Sequence, residues 1–248
     1  MSALKRFFFA AVLWLPAMFF VWVYWSSVFA LPATSIARSV LTNQYDNLFA
    51  GVWRGFPRHL FAGGTDAPVM PGSPTEGKTV RDDHLLTLRF NEQAMPAPMR
   101  QEKAATGEEP LPSVNSMIYG YGLAVIWGLV LATPLSGRRR ALQMLAGWGA
   151  IALVQAFGCI TGALVMGLRF LGAESMQAQG IHPELLALAY QFGYLILPAV
   201  VPVVLWMVMN RRFIEELTGR GTEPRADARV VVPASSGAAA GTTDTHGH

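Results

Sequence analysis

Charge is what this sequence has little of. Only 14% of its 248 residues are charged and 52% are apolar, against roughly 25% charged in ordinary soluble domains. The shortage is local: polar stretches at about 31–115 and after 213 alternate with apolar runs almost free of charge. That segregation implies a membrane protein. A single cysteine, Cys159, excludes an intramolecular disulfide framework and a thiolate metal cage. The formal net charge is only +3, and the tightest basic clusters flank apolar runs, where orientation signals belong, so a nucleic-acid-binding face is not expected. No HExxH, GxSxG, Walker loop or paired intramembrane aspartates occur. The apolar runs hold no acidic residue, which argues against proton- or cation-coupled transport.

A helix crossing a bilayer needs about 20 mainly apolar residues. Four stretches meet or approach that length: Phe7 to Phe29, Met117 to Leu135, Ala141 to about Leu168, and Leu185 to Met209. Lys5 and Arg6 precede the first, Arg138, Arg139 and Arg140 separate the second from the third, and Arg211 and Arg212 follow the fourth. Every second boundary is basic. The positive-inside bias then places both termini in the cytoplasm, with the 31–115 segment and a Gly/Glu/Gln-containing loop at 171–184 outside. A cleaved signal peptide ending near Val28-Phe29-Ala30 is the rival reading of the first run. Its length and its Trp14, Trp22, Tyr24 and Trp25 suit an anchor better, and Pro16 is tolerable as a membrane-helix kink.

The 31–115 segment reads first as helix and then as punctuation, through Gly63-Gly64, Pro68, Pro71-Gly72-Ser73-Pro74 and Gly77. His84 to Phe90 alternates as a half-buried strand does, with Leu86, Leu88 and Phe90 on one face and Thr87 and Arg89 on the other. Met95-Pro96-Ala97-Pro98 and Glu108-Glu109-Pro110-Leu111-Pro112 read as extended linker. With so little apolar material the segment forms at most a small mixed cap that leans on the membrane helices or a partner. After Phe213 one or two amphipathic turns give way to Ala/Gly/Ser/Thr, a composition that cannot offset its ordering entropy, and His246 and His248 read as solvated tail rather than as a metal site.

Inside the membrane the small and polar residues carry the information. Gly120, Ala124, Gly128 and Ala132 line one face of the second run, and Gly158 and Gly162 form a GxxxG pair on the same face of the third as Gln155. These are close-approach seams, either between helices of this chain or toward another protein. Gln155 near mid-bilayer needs a partner. Tyr190, Gln191 and Tyr194, followed by Pro198 and Pro202, form either an interfacial aromatic belt with a polar hinge or a docking groove. Cys159 reads as a packed, inert side chain, because all five histidines lie outside the runs and Arg169 is about 15 Å along the helix. Nothing in the sequence assigns a catalytic, cofactor-binding or metal-binding residue.

Five strings resemble a known family: Asn115-Ser116-Met117-Ile118-Tyr119-Gly120-Tyr121-Gly122-Leu123, Leu131-Ala132-Thr133-Pro134-Leu135, Gln155-Ala156-Phe157-Gly158, Tyr190 through Pro198, and Asn210-Arg211-Arg212-Phe213. They look like those of the exosortase-associated membrane proteins, in particular the type that accompanies exosortase H. The similarity is loose over the first run and closer over 115–213. Exosortases are bacterial inner-membrane transpeptidases that process proteins bearing a C-terminal sorting signal, using Cys, Arg and His. The resemblance implies an accessory role, because this chain has no intramembrane histidine.

The combined expectation is a mainly α, four-helix transmembrane protein of the bacterial inner membrane with a small mixed or partly disordered extracytoplasmic segment. It divides into an anchor helix at 1–30, a periplasmic segment at 31–115, a three-helix bundle at 116–212 and a disordered cytoplasmic tail at 213–248. Its expected partners are the lipid bilayer and an exosortase-like membrane protein, with no nucleic acid and no cofactor. The rival functions are a membrane-embedded hydrolase or transferase using Cys159 or an outer-face residue such as His84, and a small transport or assembly subunit.

Overall fold

The computed structural model describes residues 3–55, 84–107 and 111–217, so the punctuation expected at 63–77, the Glu108-Glu109-Pro110 linker and the tail beyond Leu217 lie outside the described residues. Residues 1–211 form one compact unit and 212–248 a second, of which Arg212–Leu217 is described.

Among the described residues three helices are long and apolar enough to cross a membrane. The first, α1, spans Ala3–Tyr24 and continues through Pro16. It ends earlier than the sequence suggests, because the backbone at Trp25 leaves helical geometry before a separate turn, α2, Ser26–Phe29. An amphipathic helix, α3 (Leu31–Gln44), follows and buries Ala33, Ala37 and Leu41 at a four-residue spacing. The second membrane-length helix, α6 (Gly137–Ala178), has 42 residues. At 1.5 Å per residue it would run about 63 Å if straight, twice the roughly 30 Å hydrocarbon core, so much of it belongs outside lipid. The third comprises α7 (Pro183–Gln191), a π-helical turn over Phe192–Ile196, and α8 (Leu197–Met209). Pro198 lacks an N–H to continue the α-helical ladder, and the wider turn lies immediately before it.

The second apolar run departs from the continuous span expected over Met117 to Leu135. It forms a 3-10 turn over Ser116–Tyr119 and then α5, Gly122–Ala132, of 11 residues. Asn115 caps the turn by accepting a hydrogen bond from the Met117 N–H at 3.0 Å. At about 16 Å, α5 is too short to cross lipid alone. It packs against α1, α6 and α8, and a helix apolar on all sides is stable in such a protein-lined position.

The cap is more ordered than a linker. Strands β1 (Phe49–Arg54), β2 (Leu85–Phe90) and β3 (Ser113–Asn115) form an antiparallel sheet in the order β1-β2-β3. Opposite pairs such as Val52 with Leu88 and Leu86 with Val114 set the register. Leu86, Leu88 and Phe90 are fully buried as the alternation implies, and so is Thr87, whose hydroxyl donates to the Gly55 carbonyl at 2.9 Å. Between β2 and β3 lies α4 (Ala97–Thr106), where an extended linker was expected. Pro98 falls in its first turn, where a proline costs no hydrogen bond, and Gly107, with φ +70°, ends it in the left-handed conformation. The exposed Lys103–Glu92 bridge at 2.6 Å keeps the Glu92 carboxyl below its usual pKa through hydrogen bond and charge. Its small contribution is therefore present above the ordinary glutamate range and is lost as pH falls below it.

The cap shares one core with the far half of α6: Leu41, Phe49, Leu88, Phe90 and Val114 pack with Tyr119, Ala163, Leu164, Leu171 and Met176. The Phe90 and Phe170 rings lie 5.5 Å apart. The loop expected at 171–184 is largely helical, since α6 continues to Ala178 and only a four-residue connection precedes α7. Its helical geometry is broken once, at Gly172, with φ +84° and ψ 166°. That break lets Met176 fold back onto Gly167, where a Cβ would lie 3.3 Å from the Met176 sulfur.

Gly172→Ala meets no neighbouring atom, so its effect is backbone strain alone. We expect it to lower stability by about 1–3 kcal/mol. Gly149→Ala, which also meets no neighbour but lies within regular helix, should be neutral or stabilising by up to about 1 kcal/mol. Thermal unfolding of the purified variants in detergent checks both.

Candidate functional site

The glycine pair of the third run closes on one side chain, Tyr119. It is 1% exposed and lies along the α6 face that carries the GxxxG pair. A Cβ at Gly158 would fall 2.4 Å from the Tyr119 ring, and one at Gly162 would fall 2.5 Å from its hydroxyl oxygen and 3.1 Å from Val114. The two glycines therefore form a slot for a tyrosine of the same chain. Gln155, one turn away on that face, donates to the Ser116 carbonyl at 2.9 Å and lies so close that a Cβ at Gly120 would meet its amide at 2.7 Å. This hydrogen bond supplies the partner that a buried amide in an apolar bundle requires. The Ser116 hydroxyl donates to the His84 carbonyl at 2.6 Å, which ties the same turn to the sheet.

The small-residue stripe of the second run serves several neighbours. Gly120 faces Gln155 of α6, whereas a Cβ at Gly128 would lie 3.0 Å from the Leu15 Cα of α1. Gly122 abuts the Pro198 carbonyl of α8 at 2.7 Å by the same measure. Each lets a backbone approach more closely than any larger residue allows.

Tyr190 and Tyr194 stack with rings 5.9 Å apart and nearly parallel, and Tyr194 meets Tyr119 edge-on at 6.3 Å. Tyr190 is half-buried, Tyr194 is 39% exposed and Gln191 is exposed. The π turn holds Gly193 against Phe157 and Thr161 of α6. The glycine pair is thus covered within the chain, while Gln191 and Tyr194 remain on an outer surface.

At the other end of the bundle lies a polar network that the sequence reading did not single out. Gln143 and Asn210 exchange two amide hydrogen bonds, at 3.0 and 3.1 Å, and Asn210 also donates to the Trp206 carbonyl at 3.0 Å. The Trp206 indole donates to the Thr133 hydroxyl at 3.0 Å and stacks on Phe7 at 5.5 Å. Arg139 donates to the Met209 carbonyl at 3.2 Å. These contacts bring together the start of α1, the end of α5, the start of α6 and the end of α8. Lys5, Arg6, Arg138, Arg139, Arg140 and Arg211 therefore collect at the end remote from the cap; Arg212 opens the second unit. Asn210 stood within a recognised string, but Gln143 had no signal beyond being an amide within an apolar run.

Cys159 is fully buried. The two described histidines sit on the cap side, His84 beside β2 and His182 before α7, and no three His, Cys, Asp or Glu residues converge among the described residues.

A family model described as exosortase H-associated membrane protein matches residues 1–213. No curated protein and no solved structure matches the chain.

Gly158→Ala places its methyl inside the Tyr119 ring and should lower stability by about 1–3 kcal/mol, the usual range for overpacking a filled core. Tyr119→Leu combined with Gly158→Ala should be less unstable than the sum of the single variants. A double-mutant cycle read by thermal unfolding in detergent checks this, and strict additivity would contradict the contact.

Proposed function

The chain belongs to the family of exosortase H-associated membrane proteins, and from that premise we propose that it is a noncatalytic accessory subunit of an exosortase-type protein-sorting system. In this reading it crosses the bacterial inner membrane four times, with α5 and its preceding turn as the protein-enclosed second crossing. Both ends of the chain lie in the cytoplasm and the cap outside. The observation that carries the reading is the extent of the family match, residues 1–213, which takes in nearly every described element. Two further features support it. Cys159 is fully buried, and a thiolate nucleophile needs access to its substrate. The Ser116 hydroxyl is spent on a backbone carbonyl. In this reading the exosortase partner docks on the exposed face around Gln191 and Tyr194, a choice supported by the occupation of the glycine pair by Tyr119.

Reporter fusions after Arg140 and after Arg212 should report a cytoplasmic position, and a fusion near Thr75 an external one; a cytoplasmic signal at Thr75 would overturn the topology. Deleting the gene in a host with the cognate exosortase should leave sorting-signal proteins unprocessed, and Cys159→Ala should restore processing in full. Failure of that variant at normal protein levels would favour the hydrolase or transferase reading. Gln191→Ala with Tyr194→Ala should reduce exosortase co-purification while the protein still inserts.

A further inference from the structure

We propose that a polar pocket on the cap holds a short, uncharged, extended stretch of polypeptide. The pocket, of about 350 Å³, opens where three chain segments meet: Asn47 and Leu48 before β1, Gln93 and Ala94 after β2, and Ser175, Ala178 and Gln179 at the end of α6. Its volume falls within the range of ligand sites. Hydrogen bonds between the segments set the walls: Asn47 Nδ2 donates to Gln179 Oε1 at 3.4 Å, the Ser175 hydroxyl to the Ala94 carbonyl at 3.4 Å, and Asn91 Nδ2 to the Asp46 carbonyl at 3.5 Å. Leu48, 1% exposed, joins this lining to the core shared with α6.

The chemistry of the lining selects the occupant. Among the described residues it has no charged side chain to attract an ion and no aromatic ring on which a sugar or nucleobase could stack. It has carboxamides instead. Asn47, Gln93 and Gln179 each carry a donor and an acceptor side by side, as a peptide group does. All three are exposed, and among the described residues their side chains form one hydrogen bond, that from Asn47 to Gln179, so most of their capacity is left for a ligand. The backbone adds an acceptor. The N–H groups of Gln179, Gly180 and Ile181 all bond to the Met176 and Gln177 carbonyls, which leaves the Ala178 carbonyl without a backbone donor among the described residues. An extended polypeptide offers both N–H and C=O groups along its length and satisfies such a mixed set. Its rise is about 3.3 Å per residue, so a pocket of this volume, about 7 Å across, takes two or three residues. The inference rests on the cap alone and is independent of any role in sorting.

The test uses the purified full chain in detergent with its Asn and Gln side chains labelled with nitrogen-15. The probes are a pool of blocked hexapeptides of Gly, Ala, Ser, Thr and Asn, the same pool with Lys or Glu at alternate positions, and maltohexaose. The uncharged pool should shift the side-chain amide signals of Asn47, Gln93 and Gln179 saturably, the charged pool should bind no better, and maltohexaose should shift none of them. Gln93→Ala or Gln179→Ala should each weaken binding about fivefold, the worth of one hydrogen bond. Ala178→Phe fills the pocket from an exposed position and should abolish binding. Gln191→Ala, on the face assigned to exosortase, should leave it unchanged, so the two proposals fail separately. No saturable shift with the uncharged pool, an equal shift with maltohexaose, or full binding by the Ala178→Phe variant would each overturn the proposal.

Discussion

The seating of Tyr119 in the slot made by Gly158 and Gly162 is the contact on which the rest of the architecture depends. A tyrosine ring can lie this close to a helix only where two consecutive turns lack side chains. Once seated, it fixes the 3-10 turn, which in turn sets where α5 begins and how deeply it lies among α1, α6 and α8. The same turn holds the sheet through the Ser116–His84 hydrogen bond and takes the Gln155 amide from α6. The cap and the membrane helices are thereby built around one shared core, which explains how a three-stranded sheet with two short helices persists without a robust core of its own.

Several polar groups within the apolar helices find a partner in a neighbouring helix or turn. Gln155 bonds the Ser116 carbonyl, the Trp127 indole the Met144 carbonyl, the Trp206 indole the Thr133 hydroxyl, and Gln143 pairs with Asn210. In lipid an unpaired donor has no water to fall back on, so each such bond orients its helices as well as holding them. Their distribution is uneven. One set lies by the cap and another at the basic end, and between them the Trp148 indole donates to the Phe29 carbonyl at 3.3 Å and the Phe29 ring meets Trp127 edge-on at 5.1 Å.

This arrangement bears on how such a protein can serve a partner. The glycine pair, a familiar means of helix association in membranes, is used up inside the chain. The side chains left for another protein are those of α1, of the first half of α6 and of the α7–α8 segment, where Phe20, Tyr24, Leu145, Leu153, Leu188, Leu195 and Val208 are widely exposed. Lipid covers such surfaces by default, so specificity toward a protein has to come from polar or shaped features among them. The exposed Gln191 beside the stacked tyrosines is such a feature.

The sequence by itself determined the membrane class, the basic boundaries, the strand at 84–90, the need of Gln155 for a partner and the family, because each follows from composition, periodicity or local strings. It also marked Gly158 and Gly162 as a close-approach face. What filled that face was decided only by the tertiary structure: Tyr119 is 39 residues from Gly158, and no local pattern couples them. Tertiary contacts likewise turned an apparent span into a 3-10 turn and an 11-residue helix, since a short apolar helix is stable once protein, rather than lipid, surrounds it. The helix α4 escaped notice because proline breaks a helix interior but is accepted in its first turn. The pairing of Gln143 with Asn210 escaped for a different reason: the two lie 67 residues apart, and only the packing of α6 against α8 brings their amides within reach.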